Sequence, residues 1–181
     1  YVATLTTTNS NGCRATANTN VIINDLPVAG FTANTPCLNS PVQFTSTSFV
    51  PGGTITGYSW NFGDGVGTSS SANPSYVYTQ QGTYTITLIV TSDDGCNDTI
   101  TGTVLVNPLP VAHFTEMSNP GCGPIVVPFT DSSFVSSGGV VSWAWDFGDG
   151  GSSSLQNPTH TYTASGNFNV TLTVVSDSGC I

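Results

Sequence analysis

The sequence predicts an all-β chain of tandem antiparallel β-sandwiches, and three observations carry that prediction. First, apolar and polar residues alternate at the period of a strand: Tyr84, Ile86, Leu88 and Val90 share one side of a run, with Thr85, Thr87, Ile89 and Thr91 on the other. Second, short runs of this kind at 41–47, 55–62 and 101–106 are separated by clusters of Gly, Pro, Asn and Ser, and no stretch has a helical period. Third, the chain repeats itself. YTITLIVTSDDGC at 84–96 matches FNVTLTVVSDSGC at 168–180, and both echo YVATLTTTNSNGC at 1–13. LPVAGF at 26–31 recurs as LPVAHF at 109–114, NPSYVY at 73–78 as NPTHTY at 157–162, and YSWNFGDG at 58–65 as WAWDFGDG at 143–150. Offsets of 83 to 85 residues are too long for a solenoid and suit separate small domains, each with its own modest core. About seven short strands per repeat predict a sandwich with Greek-key connections.

The repeats divide the chain in order. Residues 1–25 correspond to the closing strands of a preceding repeat, 26–108 form a complete one, and 109–181 form another that lacks the counterpart of TITGTVLVN at 99–107. Two accounts fit this phasing. Either the segment belongs to a longer array, or residues 1–24 complete the open sandwich of a neighbouring molecule by strand addition. The links NDLPV at 24–28 and NPLPV at 107–111 are short and contain proline, which should restrict bending between neighbours.

Composition removes several classes of function. Only 6% of residues are charged, Arg14 is the single base against ten acids, and the formal net charge is -9. Such a chain cannot neutralise a row of phosphates, so neither nucleic acid nor an anionic membrane surface is an expected partner. Polarity comes instead from Ser and Thr, 50 of 181 residues. No run approaches 18 apolar residues, and no leader is visible at the N-terminus. With no lysine present, a Lys–Asn isopeptide crosslink cannot form within this segment.

The repeated eight-residue phrase has a structural meaning. Trp60 and Trp145 sit at alternate positions of a strand with Tyr58 and Trp143, so Phe62 and Phe147 share the tryptophan's side and should fill the core with it. Gly63, Asp64 and Gly65, like Gly148, Asp149 and Gly150, then reverse the chain. The phrase W-[ND]-F-G-D-G, a downstream N-P with an aromatic, and G-[TN]-[YF]-x-[VI]-T-L at 82–88 and 166–172 together resemble the PKD (polycystic kidney disease) domain family over nearly the whole chain. That resemblance implies an immunoglobulin-like sandwich, outside the cell or on its surface, of the kind found in repetitive bacterial and archaeal adhesins and beside secreted hydrolases. It implies no enzymatic activity of its own. The expected role is a structural spacer or stalk whose partners are neighbouring repeats. The alternatives are an accessory module that binds polysaccharide or protein through exposed aromatics, with Tyr58 and Trp143 as the repeated candidates, and a strand-exchanged subunit that self-associates into a fibre.

Five cysteines in an acidic, threonine-rich chain suggest an oxidising compartment. Cys37 and Cys122 come early in their repeats; Cys96 and Cys180 come late, as Cys13 does in the partial first one. Pairing within repeats, Cys37 with Cys96 and Cys122 with Cys180, is the expectation, each bond closing a loop of about 60 residues worth roughly 4 kcal/mol by the chain-entropy estimate. Cys13 would then find its partner outside the segment; Cys13 with Cys37, or free thiols, are the alternatives. No two cysteines lie within four residues and only two histidines exist, so a zinc site is not expected.

Several fragments resemble catalytic motifs and fail on chemistry. DFG at 146–148 would need a kinase lysine, which the chain lacks. Asp146 and Asp149 as paired acids find Asn61 in the place of Asp146 in the other repeat. GDGVG at 63–67 has no strand–helix setting to aim amides at phosphate. His113 and His160, whose counterparts are Gly30 and Tyr76, are expected as packing or surface residues. No catalytic residue and no cofactor follow. Calcium is the one ligand considered, through Asp93, Asp94 and Asp98 at one end of the complete repeat, although the other repeat keeps only Asp177 and Asp25 becomes Asn107. D-T-I at 98–100 resembles a bacterial O-glycosylation sequon, with Thr99 as acceptor, and Asn97 and Asn169 fit N-x-[ST].

Overall fold

The computed structural model describes residues 1–117 and 124–181, and Cys122 lies outside the described residues. Contacts group the chain into two compact units, residues 1–32, 44–74 and 86–102 in the first and 33–43, 75–85 and 103–181 in the second. Among the described residues no helix is long and apolar enough to cross a membrane.

The first unit opens on a hairpin. β1 (Val2–Thr8) pairs antiparallel with β2 (Arg14–Asn20) in register from Val2↔Asn20 to Thr8↔Arg14, and both strands are exposed throughout. The complete repeat then supplies seven strands: β3 (Phe31–Ala33), β4 (Pro41–Ser46), β5 (Ile55–Asn61), β6 (Thr68–Ser69), β7 (Ser75–Val77), β8 (Gly82–Ser92) and β9 (Asn97–Val106). They form one sheet of order β3-β4-β7 and another of order β6-β5-β8-β9, so β4 to β7 and β5 to β8 are crossover pairings of Greek-key type. The alternation of β8 is that expected, with Ile86, Leu88 and Val90 fully buried. Phe31 and Phe44, from the first sheet, meet Trp60, from the second, at 5.4 and 5.5 Å between ring centroids, and Phe62 stacks beside them. Such pairs add to the burial term because edge and face carry opposite partial charge.

In the second unit β10 (Phe114–Glu116), β11 (Ile125–Asp131) and β14 (Thr159–Tyr162) form one sheet, while β13 (Ser152–Ser153), β12 (Val140–Asp146) and β15 (Thr171–Ser176) form another. Val127, Phe129, Trp145, Phe147, Leu172 and Val174 make its core, and Phe114 lies 5.0 Å edge-on to Trp145. The copies agree in detail. β5 shifts register against β8 between Ile55 and Gly57, and β12 against β15 between Val140 and Ser142. Residues 33–43, 75–85 and 103–108 of this unit carry a ladder of rings, Tyr76 edge-on to Tyr78 and Tyr78 stacked on Tyr84 at 4.0 Å, beside buried Val42, Val104 and Val106.

The cysteine pairing differs from the expectation. Cys37 is bonded to Cys180, 143 residues away, and Cys96 is free. Strand length explains why Cys37 does not reach Cys96. Cys37 forms a parallel bridge with Asn107, just past the end of β9, whereas Cys96 directly precedes its start. Ten residues of strand at about 3.3 Å each separate the ends by roughly 30 Å, and a disulfide needs Cα atoms within about 7 Å. With Cys180 engaged by Cys37, the expected bond from Cys122 to Cys180 is excluded as well.

Candidate functional site

The repeated turn and the tryptophan beneath it form one built feature in each repeat. Trp60 and Trp145 are buried, and each indole N–H donates to a main-chain carbonyl at 2.8 Å, Ser71 for Trp60 and Leu155 for Trp145. Asp64 Oδ1 accepts from the amides of Val66 and Gly67 at 3.1 and 2.7 Å; Asp149 Oδ1 accepts from Gly151 at 2.9 Å. One residue before each glycine pair's first member stands Phe62 or Phe147, and before that Asn61 or Asp146, whose Oδ1 accepts from Gly63 or Gly148 at 2.8 and 2.9 Å. Asn and Asp exchange freely there because the turn needs a side-chain oxygen and not a charge. The two acids of DFGDG are therefore engaged in folding their own turn.

Gly63, Gly65, Gly148 and Gly150 all have φ between 78° and 93°, the left-handed region. Their surroundings differ. A Cβ on Gly148 would meet the Asn169 backbone at 2.7 and 2.8 Å, while one on Gly150 would meet nothing within 4 Å. Gly150→Ala should thus cost only the left-handed penalty, about 1–2 kcal/mol, and Gly148→Ala distinctly more. Urea titration of the two variants checks the order; equal losses would mean that the Asn169 contact is soft.

His160 is more than a packing residue. Its ring stacks on Phe147 at 4.2 Å and 8°, and its Nε2 meets Asp149 Oδ2 at 2.8 Å. The hydrogen bond from His160, followed by that from the Gly151 amide, holds the Asp149 carboxyl below the usual carboxylate range. A carboxylate whose folded pKa is depressed stabilises the fold above its unfolded pKa, and that contribution is lost as pH falls through the folded value. Asp149→Asn should therefore lower the melting temperature at neutral pH, with the gap from the parent narrowing below about pH 4 and closing as pH falls through the depressed folded value. A gap constant from pH 7 to 2 would show that the charge contributes nothing. The sequence signal was faint: it shows only that an aromatic ring, Tyr76 or His160, recurs at this place. His113 Nδ1 lies 2.6 Å from Ser132 Oγ.

Of the acids considered for calcium, Asp93, Asp98 and Asp177 are placed against the protein's own donors. Asp93 accepts from the Thr54 amide and hydroxyl at 3.2 Å, and Asp177 accepts from the Gly139 amide at 3.1 Å. Asp98 Oδ2 accepts from the Ala29 amide at 2.8 Å, and that bond is the main cause holding its carboxyl below the usual range. Among the described residues no three or more His, Cys, Asp or Glu side chains gather as a metal site would require. Thr99 is exposed on β9.

Of the aromatics proposed for binding, Tyr58 and Trp143 are both half-buried, and Trp143 Nε1 donates to Asp131 Oδ2 at 2.8 Å. The exposed repeated aromatics are others. Phe49 and Phe134, 56% and 59% exposed, exchange two backbone hydrogen bonds with Val28 and Val111, which are also exposed. This Val–Phe pair was legible as the recurrence of L-P-V at 26–28 and 109–111 and S-F-V at 48–50 and 133–135, but strand periodicity alone did not mark it as surface.

The late cysteines share one loop. In 9–13, 92–96 and 176–180 the first residue's amide donates to the cysteine carbonyl at 2.9 Å, and the glycine amide donates back to the first residue's carbonyl at 2.9–3.0 Å. The cysteine amide meets the first residue's side-chain oxygen, Asn9 Oδ1, Ser92 Oγ or Ser176 Oγ, at 2.9–3.1 Å. Gly12, Gly95 and Gly179 have φ of 80° or 81°. Three copies of one loop thus hold a cysteine by the same backbone bonds, with Cys13 exposed, Cys96 half-buried and Cys180 buried.

Two tandem copies of a Greek-key sandwich, each with a tryptophan under an acid-capped glycine turn, define an immunoglobulin-like module. The chain belongs to the PKD domain family, whose model matches residues 24–106 and 107–181. It is 33% identical over 161 residues to the Vibrio cholerae "Pre-pro-metalloprotease PrtV", covering 87% of this chain and 17% of that protein. It is 44% identical over 59 residues to the Bacillus cereus "Collagenase ColA", covering 32% of this chain and 6% of that one. The crystal structure of the PKD1 domain of Vibrio anguillarum Epp is 39% identical, covers 46% of this chain and 96% of its own, and has a TM-score of 0.44. The chain spans less than a fifth of the curated relatives' length.

Proposed function

We propose that this segment is a non-enzymatic spacer of an extracellular protein, in which successive PKD repeats are joined by a covalent bond as well as by the chain. The observation that carries this reading is the Cys37–Cys180 disulfide, which links the early cysteine of one repeat to the late cysteine of the next. Such a bond belongs to an oxidising compartment, and the sparse charge with abundant hydroxyls suits a surface exposed outside the cell. The family's signature residues support the same reading, since each one is engaged in the core or in its own turn.

A second reading, an accessory binding module of a secreted hydrolase, is favoured by the exposed Val–Phe pair at the same place in both repeats and by relatives whose names are those of a metalloprotease and a collagenase. Sedimentation of the chain with fibrillar collagen and with insoluble polysaccharides separates the two. The spacer reading expects no saturable binding. Saturable binding that is lost in a Phe49→Ser, Phe134→Ser variant would overturn it in favour of the module.

A further inference from the structure

We infer that the joint between the two repeats is a redox-gated hinge: the Cys37–Cys180 disulfide holds it rigid, and a dithiol that reduces this bond frees it to bend. This rests on the reading of Cys37–Cys180 as a link between successive repeats. Residues 33–43, 75–85 and 103–108 of the complete repeat share one compact unit with 109–181, and the joint lies inside that unit. The polypeptide that crosses it is short. Asn107 is bridged to Cys37 and Val111 to Phe134, which leaves Pro108, Leu109 and Pro110 between the two anchors. Proline fixes φ at two of these residues and narrows the choice at Leu109, yet the ψ angles of Pro108 and Pro110 stay open. The linker limits the bend without setting it.

Packing does not set the bend either. Leu105 and Leu109, beside the crossing, stay 48% and 36% exposed. Pro108 is buried, and so is Cys180, which is part of the fastening itself. Where a dry core would lock two faces together, this joint has a cleft of about 310 Å³, lined by Gln81, Asn107 and Pro108 from one repeat and Ser137, Asp177 and Ser178 from the other. Two fastenings border the cleft. In one, Gln81 Nε2 donates to Ser136 Oγ at 2.8 Å and Gln81 Oε1 accepts from that hydroxyl at 3.0 Å. Both side chains are exposed, and a hydrogen-bonded contact open to water holds a closed arrangement over an open one by only about tenfold. The other is the Cys37–Cys180 bond, whose second cysteine follows Ser178 of the cleft by two residues. Reduction has a way in, because Cys37 is half-buried while Cys180 is 1% exposed. A thiolate of the dithiol bonds to Cys37 Sγ, and Cys180 leaves and takes up a proton. The second sulfur of the dithiol then displaces Cys37, which is protonated in turn, so two electrons and two protons pass to the protein and the dithiol becomes a disulfide.

The test is measurement of residual dipolar couplings by NMR on the whole chain, before and after addition of dithiothreitol. Amides of 33–43, 75–85 and 103–108 report on one side of the joint, and those of 124–181 on the other. The expected result is one alignment tensor for both sides in the oxidised chain and two different tensors in the reduced chain, with the buried indoles of Trp60 and Trp145 keeping their folded signals. One tensor in both states would overturn the hinge and leave the spacer reading standing, as would two tensors in the oxidised chain. Should reduction unfold a sandwich, Gln81→Ala with the disulfide intact carries the test. That variant is expected to keep a single tensor, and two would show that the polar contact, not the disulfide, is the lock. Non-reducing peptide mapping that finds no Cys37–Cys180 pair would overturn both the hinge and the spacer reading.

Discussion

Trp145→Ala is expected to lower the stability of its sandwich by about 3–5 kcal/mol, the range for truncating a large buried aromatic. The side chain is 2% exposed, it touches Phe114, Phe129 and Phe147, and its N–H is satisfied by Leu155. Alanine removes the contacts, leaves a cavity and strands the Leu155 carbonyl. Trp143, two residues earlier on the same strand, gives the control. It lies on the same side at the edge of the core, half-buried against the cluster with its N–H on Asp131, so Trp143→Ala should cost less, about 1–3 kcal/mol for the charge-assisted bond and part of the packing. Urea titration of both variants checks the contrast. Equal losses would mean that the edge of this core, at Trp143, is packed as tightly as its centre.

The second large effect belongs to the disulfide. Replacing Cys37 and Cys180 together by serine removes a crosslink spanning 143 residues, worth about 5 kcal/mol on the chain-entropy estimate. Cys96→Ser in the same chain should change stability by less than about 0.5 kcal/mol, because its half-exposed thiol is free. Thermal or urea unfolding of the two variants against the parent is the measurement. A loss on Cys96→Ser as large as that of the double variant would place the structural bond within the complete repeat, 26–108, after all.

Much of this was legible beforehand, because the legible parts are local. The strand of Ile86, Leu88 and Val90 shows its buried side through alternation alone, and the glycines of the repeated turn declare a left-handed backbone. What stayed hidden depends on which end of an element a residue occupies. Cys37 and Cys96 looked like a pair since they share a repeat, but the ten residues of β9 hold them at opposite ends of it. Strands β6 and β13 are two residues each, too short to carry any period. The Asp149–His160 contact was hidden because the sequence shows only that a ring, Tyr76 or His160, recurs at that place, and it is the fold that brings His160 to the aspartate of the turn.

The central claim is that successive repeats are covalently linked, so that load applied to the chain bypasses most of it. Pulling single molecules between residues 1 and 181 tests this most directly. With the disulfide intact, force passes from Cys37 to Cys180 through their S–S bond, and the residues between cannot extend. Adding a reductant should release roughly 500 Å of contour length, 143 residues at about 3.3–3.6 Å each. Full extension of both repeats in the absence of reductant would contradict the account.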